Sequence, residues 1–216
     1  MRIPFEQTPF IGETFINLVP EITVAILKTV ESGWQLAKKK SEVNASAGEI
    51  LITECLRDGM RDALNSGQLP WHKSMIVLPG TESRSSTSVT VPDGRTDIPL
   101  MFIEIFLKLG QHDPHAIIEC KRIAEGNATL IREYVIEGID RFCSGKYGKN
   151  HSRGFMAAYV LAGSPNGIVL QVNAFLERNR RRQEQLVEGL AGFWISQHPR
   201  KDWHKIELHH GMLTMS

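Results

Sequence analysis

Cysteine is scarce in this chain: Cys55, Cys120 and Cys143 are the only three in 216 residues, and they lie far apart. No two have the short spacing of a zinc motif, and no even set marks a disulfide framework. A disulfide-stapled secreted scaffold is therefore excluded, and a reducing, cytoplasmic home is the expectation. Net charge is also small. Lys and Arg total 25 against 24 Asp and Glu, leaving +1, so bulk charge argues neither for nor against a polyanionic partner. Long apolar runs are missing as well. No stretch approaches the ~20 residues that cross a bilayer, and ITVAILKTV is amphipathic but short enough to pack on the domain. The opening MRIPFEQTPFIGETF lacks a basic segment followed by an apolar one, so neither a secretory signal nor a membrane partner is expected.

What remains is ordinary for a globular protein. Hydrophobic residues make up 42% and charged ones 23%, and the length suits one large domain or one domain with extensions. Residues 13–40 read as helical, interrupted at Pro20 and ending in Lys38, Lys39 and Lys40. That basic end either faces nucleic acid or, the plainer reading, is a solvated terminus complementing the helix dipole. A second helix runs over 46–65 and stops at Gly67. Residues 66–88 are mostly loop, with a short strand in SMIVL and a surface tract TESRSSTS. SVTV, the turn PDGR and TDIPLMFIEIFL then read as a hairpin, and KLGQHDPH turns the chain into AIIECKR. Glu104, flanked by apolar residues in FIEIF, reads as a solvent-facing position on an edge strand.

A helix over 127–143 follows, leaving through SGKYGKNHSRG into the buried strand GFMAAYVLAG. Ser164 and Pro165 start a helix reaching about Leu190, and WHKIELHH adds an edge strand. From residue 46 the order is α-β-β-β-α-β. This predicts an α/β domain over 46–216, with a central mixed sheet flanked by helices and a helical extension over 1–45.

One strand poses a question. In AIIECKRI, Ala116–Ile118 read as core, yet Glu119 and Lys121 stand two apart and so share a face. Burying both charges there is costly unless they are paired or have a task. An acid-x-Lys triplet occurs about once by chance at this composition, so the triplet alone says little; its place on a core strand after a hairpin says more.

That arrangement resembles the PD-(D/E)xK, or restriction-endonuclease-like, nuclease superfamily over roughly residues 46–162. The resemblance implies an acid opening the second strand, here Asp97 in GRTDIPL. It also implies an acid-x-Lys on the third strand, here Glu119 and Lys121, and a glutamate on the preceding helix, here Glu49. The literal Pro92-Asp93 has turn composition, which would carry Asp93 away from the sheet, whereas Asp97 stands where a strand begins. Thr96 occupies the place of the family's proline. On the helix, Ile52, Leu56, Met60, Ala63 and Leu64 fall within about 60° of Glu49, while Glu54 lies about 140° away among Arg57, Asp58 and Arg61. Glu49 is thus placed inward and Glu54 outward.

The resemblance implies Mg²⁺ or Mn²⁺ held by Asp97, Glu119, Glu49 and the carbonyl of Cys120, since hard oxygen donors suit these ions. Lys121 would orient the attacking water and offset developing charge. The plainer alternative is a structural ion pair between Glu119 and Lys121. Lys146 and Lys149, beside Tyr147, could contact a nucleic-acid backbone or only solvate their loop. SGKYGK lacks the first glycine of a phosphate loop. His112 with His115, and His209 with His210, lack matching ligands nearby in sequence. The arginines of RNRRRQEQ read as a solvated helix face paired as Glu177–Arg181. The functional expectation is a metal-dependent nuclease acting on DNA in a defence, recombination or repair system, its selectivity supplied by a homodimer or a partner subunit. Two alternatives stand beside it: a non-cleaving module that binds nucleic acid or a protein, and RNA as the substrate.

Overall fold

The structure is a computed structural model that describes residues 16–80, 82–83, 94–110, 112–189, 192–201 and 204–215. Helix α1 (Pro20–Ala37) begins at its proline, because the N–H that proline lacks is one no helical first turn uses. Pro20, the expected interruption, therefore starts this helix, and residues 16–19 before it are not helical. Residues 13–15, the SVTV stretch, Asp93 and most of the Ser/Thr tract lie outside the described residues. Helix α2 (Glu49–Asn65) follows, then strand β1 (Met75–Val77) within SMIVL and a small hairpin of β2 (Glu82–Ser83) and β3 (Gly94–Arg95).

Strand β4 (Ile98–Phe102) ends after five residues, and α3 (Ile103–Leu109) follows directly. The expected strand over 96–107 is thus half helix, and Glu104 sits on α3, not on an edge strand. Both neighbours of β4 explain the switch: β1 pairs with it only over 100–102 and β5 only over 98–100, so no ladder exists beyond Phe102. Gly110, left-handed at φ 63°, then closes α3.

Next come β5 (Ala116–Ala124), α4 (Ala128–Tyr134), a π-helical turn over Val135–Ile139, α5 (Asp140–Cys143) and β6 (Arg153–Ala162). Helix α6 (Pro165–Arg178) stops a dozen residues earlier than expected. Arg180 adopts φ 60°, and the amides of Arg180 and Arg181 reach back to the carbonyls of Glu177 (3.0 Å) and Leu176 (2.9 Å). This is a Schellman closure with arginine where glycine is usual, which is why no stop signal was legible. A 3₁₀ turn (Arg182–Glu184), β7 (Val187–Glu188), β8 (Trp194–His198) and β9 (Ile206–Thr214) complete the chain. Strand β8 had no sequence expectation. Strand β9 is no edge: it lies between β6 and β8.

The seven-stranded sheet has the order β1-β4-β5-β6-β9-β8-β7. It is antiparallel at both sides and parallel through β5, β6 and β9. The fold is α/β, a central mixed sheet flanked by helices, and from α2 to β6 it follows αβββαβ with α3 and the small hairpin inserted. Along β6 the faces alternate. Phe155, Ala157 and Tyr159 pack with α1 and α2, while Met156, Ala158 and Val160 pack with α4, α5 and α6. Burial on both faces explains why GFMAAYVLA reads as an unbroken apolar run. Helix α1 shares the first core through Ile22, Ile26, Val30 and Trp34. No helix among the described residues is long and apolar enough to cross a membrane.

Candidate active site

The site forms where β4 and β5 part. Their pairing runs only to Ile98 opposite Ile118, so beyond that point β5 has β6 on one side and, among the described residues, no strand on the other. The backbone N–H groups exposed by the split must find other acceptors. Two carboxylates supply them. Asp97 Oδ2 accepts from the Cys120 amide at 2.7 Å, and Glu49 Oε2 accepts from the Arg122 amide at 3.0 Å. Asp97 is placed by standing immediately before β4, and Glu49 by standing at the first position of α2, after Gly48.

Glu119 and Lys121 project from the same face of β5, as alternation requires. Glu119 is fully buried and Lys121 nearly so. The Lys121 ammonium has three acceptors: Glu49 Oε1 at 2.9 Å, Glu119 Oε1 at 3.0 Å and the carbonyl of Cys120 at 2.9 Å. Glu119 Oε1 also accepts from Arg141 Nη1 at 2.6 Å. Glu119 Oε2 is buried and has no hydrogen-bond partner among the described residues. The four acidic and basic residues expected at the site are thus brought together, and the Cys120 carbonyl lies among them.

Three residues of the cluster were not expected. Arg57, read as part of the wet face of α2, is buried: it pairs with Glu54 and donates through Nη2 to the backbone carbonyl of Asp97 at 2.9 Å. At 100° per residue it lies only about 80° from Glu49, on the flank of the inward arc, so helical phase held the signal. Arg141, on α5, reaches Glu119 and also donates to the Tyr147 hydroxyl at 3.1 Å, with its guanidinium 5.5 Å from that ring's centre. Tyr147 in turn donates to the carbonyl of Arg95 at 2.8 Å. Nothing in GIDRF or SGKYG marks these two, because the contacts join segments far apart in sequence.

The π turn brings α5 over the strand. Gly138 lies in it, and a Cβ there would come 2.6 Å from Met156 Cε and 3.4 Å from Lys121 Cγ. The lysine stem would accept that Cβ at ordinary contact distance, whereas the flexible end of Met156 would have to shift. Lys146 and Lys149 are half-buried in the turn after α5, on either side of the buried Tyr147.

Electrostatics follow from burial and crowding. Burial, then the charge of Asp97, push the Glu119 carboxyl up to about 8, against the pull of Lys121 and Arg141. Asp97 is raised by burial too, despite the Cys120 N–H and Lys121. Burial alone would lower the Lys121 ammonium, but Glu119 and Glu49 hold it above its ordinary value. Asp97, Glu119 and Glu49 nonetheless bring three carboxyl groups to one place, and a hard cation suits such an oxygen-rich site. The orphaned Glu119 Oε2 gives such an ion a buried oxygen that nothing else engages.

Two histidines singled out in the sequence, His115 and His209, have partners elsewhere. His115 Nδ1 lies 2.9 Å from the Phe102 amide, and His209 Nε2 lies 3.0 Å from Glu207. The expected Glu177–Arg181 pair does not form. Arg181, beyond the end of α6, instead binds Asp140 and Glu184, and Arg182 lies 3.7 Å from Glu177.

No model of a known protein family, no curated protein and no solved structure matches the chain.

Proposed function

We propose that the chain is a divalent-metal-dependent nuclease that hydrolyses phosphodiester bonds of DNA. The observation that carries the reading is the buried, unpartnered Glu119 Oε2, set in a cluster with Asp97, Glu49 and Lys121 at a split between two strands. Asp97, Glu119, Glu49 and the Cys120 carbonyl would hold Mg²⁺ or Mn²⁺, which supplies a Lewis acid and a more acidic water when bound. Lys121, fixed by carboxylates on two sides, would position the attacking water and offset charge growing on the phosphate. Arg141 takes up part of the Glu119 charge and so tunes how many positive charges the site accepts. Lys146 and Lys149 stand near the same end of the molecule as Tyr147, suited to backbone phosphates. A role in defence, recombination or repair, with selectivity from a second copy or a partner subunit, belongs to the same proposal.

The second reading is a nuclease-fold module that binds nucleic acid or a protein without cutting. Its support is that all three ammonium donors of Lys121 already have protein acceptors. Incubation with supercoiled, linear and single-stranded DNA and with RNA, with and without Mg²⁺ or Mn²⁺, separates these readings. Metal-dependent cleavage that disappears in Asp97→Ala and Glu119→Ala, together with ion binding by calorimetry, supports the nuclease. Unchanged affinity for both ions in both variants refutes the site. Binding without cleavage favours the module.

A further inference from the structure

A second cluster of donor atoms lies on the same side of the sheet, away from the β4–β5 split. Cys143 ends α5, Glu184 ends the 3₁₀ turn and His198 ends β8. The Cys143 sulfur, a Glu184 carboxylate oxygen and a His198 ring nitrogen all lie within 4.8 Å of one another. Three different elements deliver thiol, carboxylate and imidazole to one point, a donor set of the borderline-soft kind that zinc takes.

The surroundings fit an ion as well. His198 meets Glu184 through Nδ1 at 2.6 Å, and its Nε2 lies 2.6 Å from the Ser196 hydroxyl. Ser196 lies 2.7 Å from His210 Nε2, whose Nδ1 lies 2.7 Å from the Tyr134 hydroxyl. A ligating histidine is usually oriented by such an outer partner on its other nitrogen. His198 is fully buried, whereas Cys143 is only half-buried, so the cluster has an outer edge through which an ion could enter.

The present cation at this point is Arg181. It donates to Glu184 Oε2 from Nη2 at 2.6 Å and Nε at 3.0 Å, and to Asp140 from Nη1 at 2.7 Å. Its Nη2 lies 4.0 Å from the Cys143 sulfur. A guanidinium therefore stands beside Glu184 and Cys143, and its side chain keeps 19% exposure.

We propose that Cys143, Glu184 and His198 form a Zn²⁺ site, with solvent as the fourth ligand and Arg181 as the cation that the metal displaces. The thiol proton leaves to solvent as the sulfur binds, and His198 carries its proton on Nε2 toward Ser196 so that Nδ1 is bare to ligate. The thiolate and carboxylate together balance the ion's two charges, freeing Arg181. The site would bolt α5 to β8 and the 3₁₀ turn. Because α5 also carries Arg141, it would fix the platform from which Arg141 grips Glu119. The proposal stands whether or not the first site cleaves nucleic acid.

The test uses the full chain, reduced, titrated with Co²⁺ as a spectroscopic stand-in and then with Zn²⁺ in competition. The expected result is a near-ultraviolet thiolate-to-cobalt band with four-coordinate visible bands, both bleached by Zn²⁺. Cys143→Ser should abolish the thiolate band with far-ultraviolet dichroism unchanged. Asp97→Ala should leave it in place, which separates this site from the first. Arg181→Gln should tighten Zn²⁺ by roughly tenfold or more, since a competing charge is gone. The proposal is overturned if the wild-type chain shows no thiolate band, if the band survives Cys143→Ser, or if it appears only in Arg181→Gln. Should Cys143→Ser fail to fold, the wild-type band and the direction of the Arg181→Gln change still decide.

Discussion

Glu119 carries two cations on one carboxylate oxygen and none on the other. Its burial raises its folded-state pKa from an ordinary 4.5 to about 8. A raised carboxyl favours the protonated folded form, so its stabilising effect is whole below about 4.5 and is lost as pH climbs through about 8. Glu119→Gln mimics the protonated group. Without divalent ions, the stability of Glu119→Gln relative to wild type should therefore improve with pH across that window, by at most about 1.4 kcal/mol per pH unit. Denaturant melts at about pH 5 and about pH 8.5 measure this, and a difference that stays flat would remove the assigned shift. Lys121 poses a question of chemistry. Lys121→Ala should keep nucleic-acid affinity in a gel shift but lose turnover by roughly 10²-fold, because an ammonium matters most where charge develops. Cleavage at the wild-type rate would reduce Glu119 and Lys121 to a structural ion pair.

At the scale of elements, α2 presents two glutamates with different tasks. Glu49 closes the split edge of β5 and holds Lys121, whereas Glu54 is half-exposed and pairs with Arg57. Glu49→Gln keeps an acceptor for the Arg122 amide but removes the charge beside Lys121, so cleavage under saturating Mg²⁺ should fall by roughly tenfold or more. Glu54→Gln should cost about 1 kcal/mol or less and stay active. The opposite pattern would mean that the other side of α2 faces the metal. The same helix crosses α1 closely. A Cβ on Gly59 would lie 2.3 Å from the carbonyl oxygen of Gly33, and one on Gly33 would lie 2.7 Å from the amide of Met60. Backbone cannot yield as a flexible side chain does, so Gly59→Ala should destabilise by about 1–3 kcal/mol. A thermal melt at wild-type temperature would show that the helices can slide apart without loss.

For the whole molecule, α1 is part of the sheet's own packing. It covers Ile52, Leu56 and Met60 of α2, and Trp34 stacks on Tyr159 of β6 at 5.7 Å between ring centres. A chain beginning at residue 46 would expose that face. It should lose its cooperative melt and bind a hydrophobic dye, since a core missing one wall no longer packs to native density. A sharp transition in the shortened chain would show instead that residues 46–216 fold alone.

The sequence by itself determined the alternation of helix and strand and the burial of AIIECKRI and GFMAAYVLA. These are local matters: side-chain period, turn composition and helical phase act within a few residues. Only the tertiary structure decided where β4 stops, because a strand continues only while neighbours offer a ladder, and those neighbours lie far along the chain. The same holds for β9, which reads as an edge yet sits inside the sheet, and for the end of α6, where Arg180 takes a conformation no residue type announced. Arg141, Arg57, and the meeting of Cys143, Glu184 and His198 belong with these. Each depends on a distance between segments that no spacing in the sequence encodes, and charge or burial at one position does not say which distant group will satisfy it.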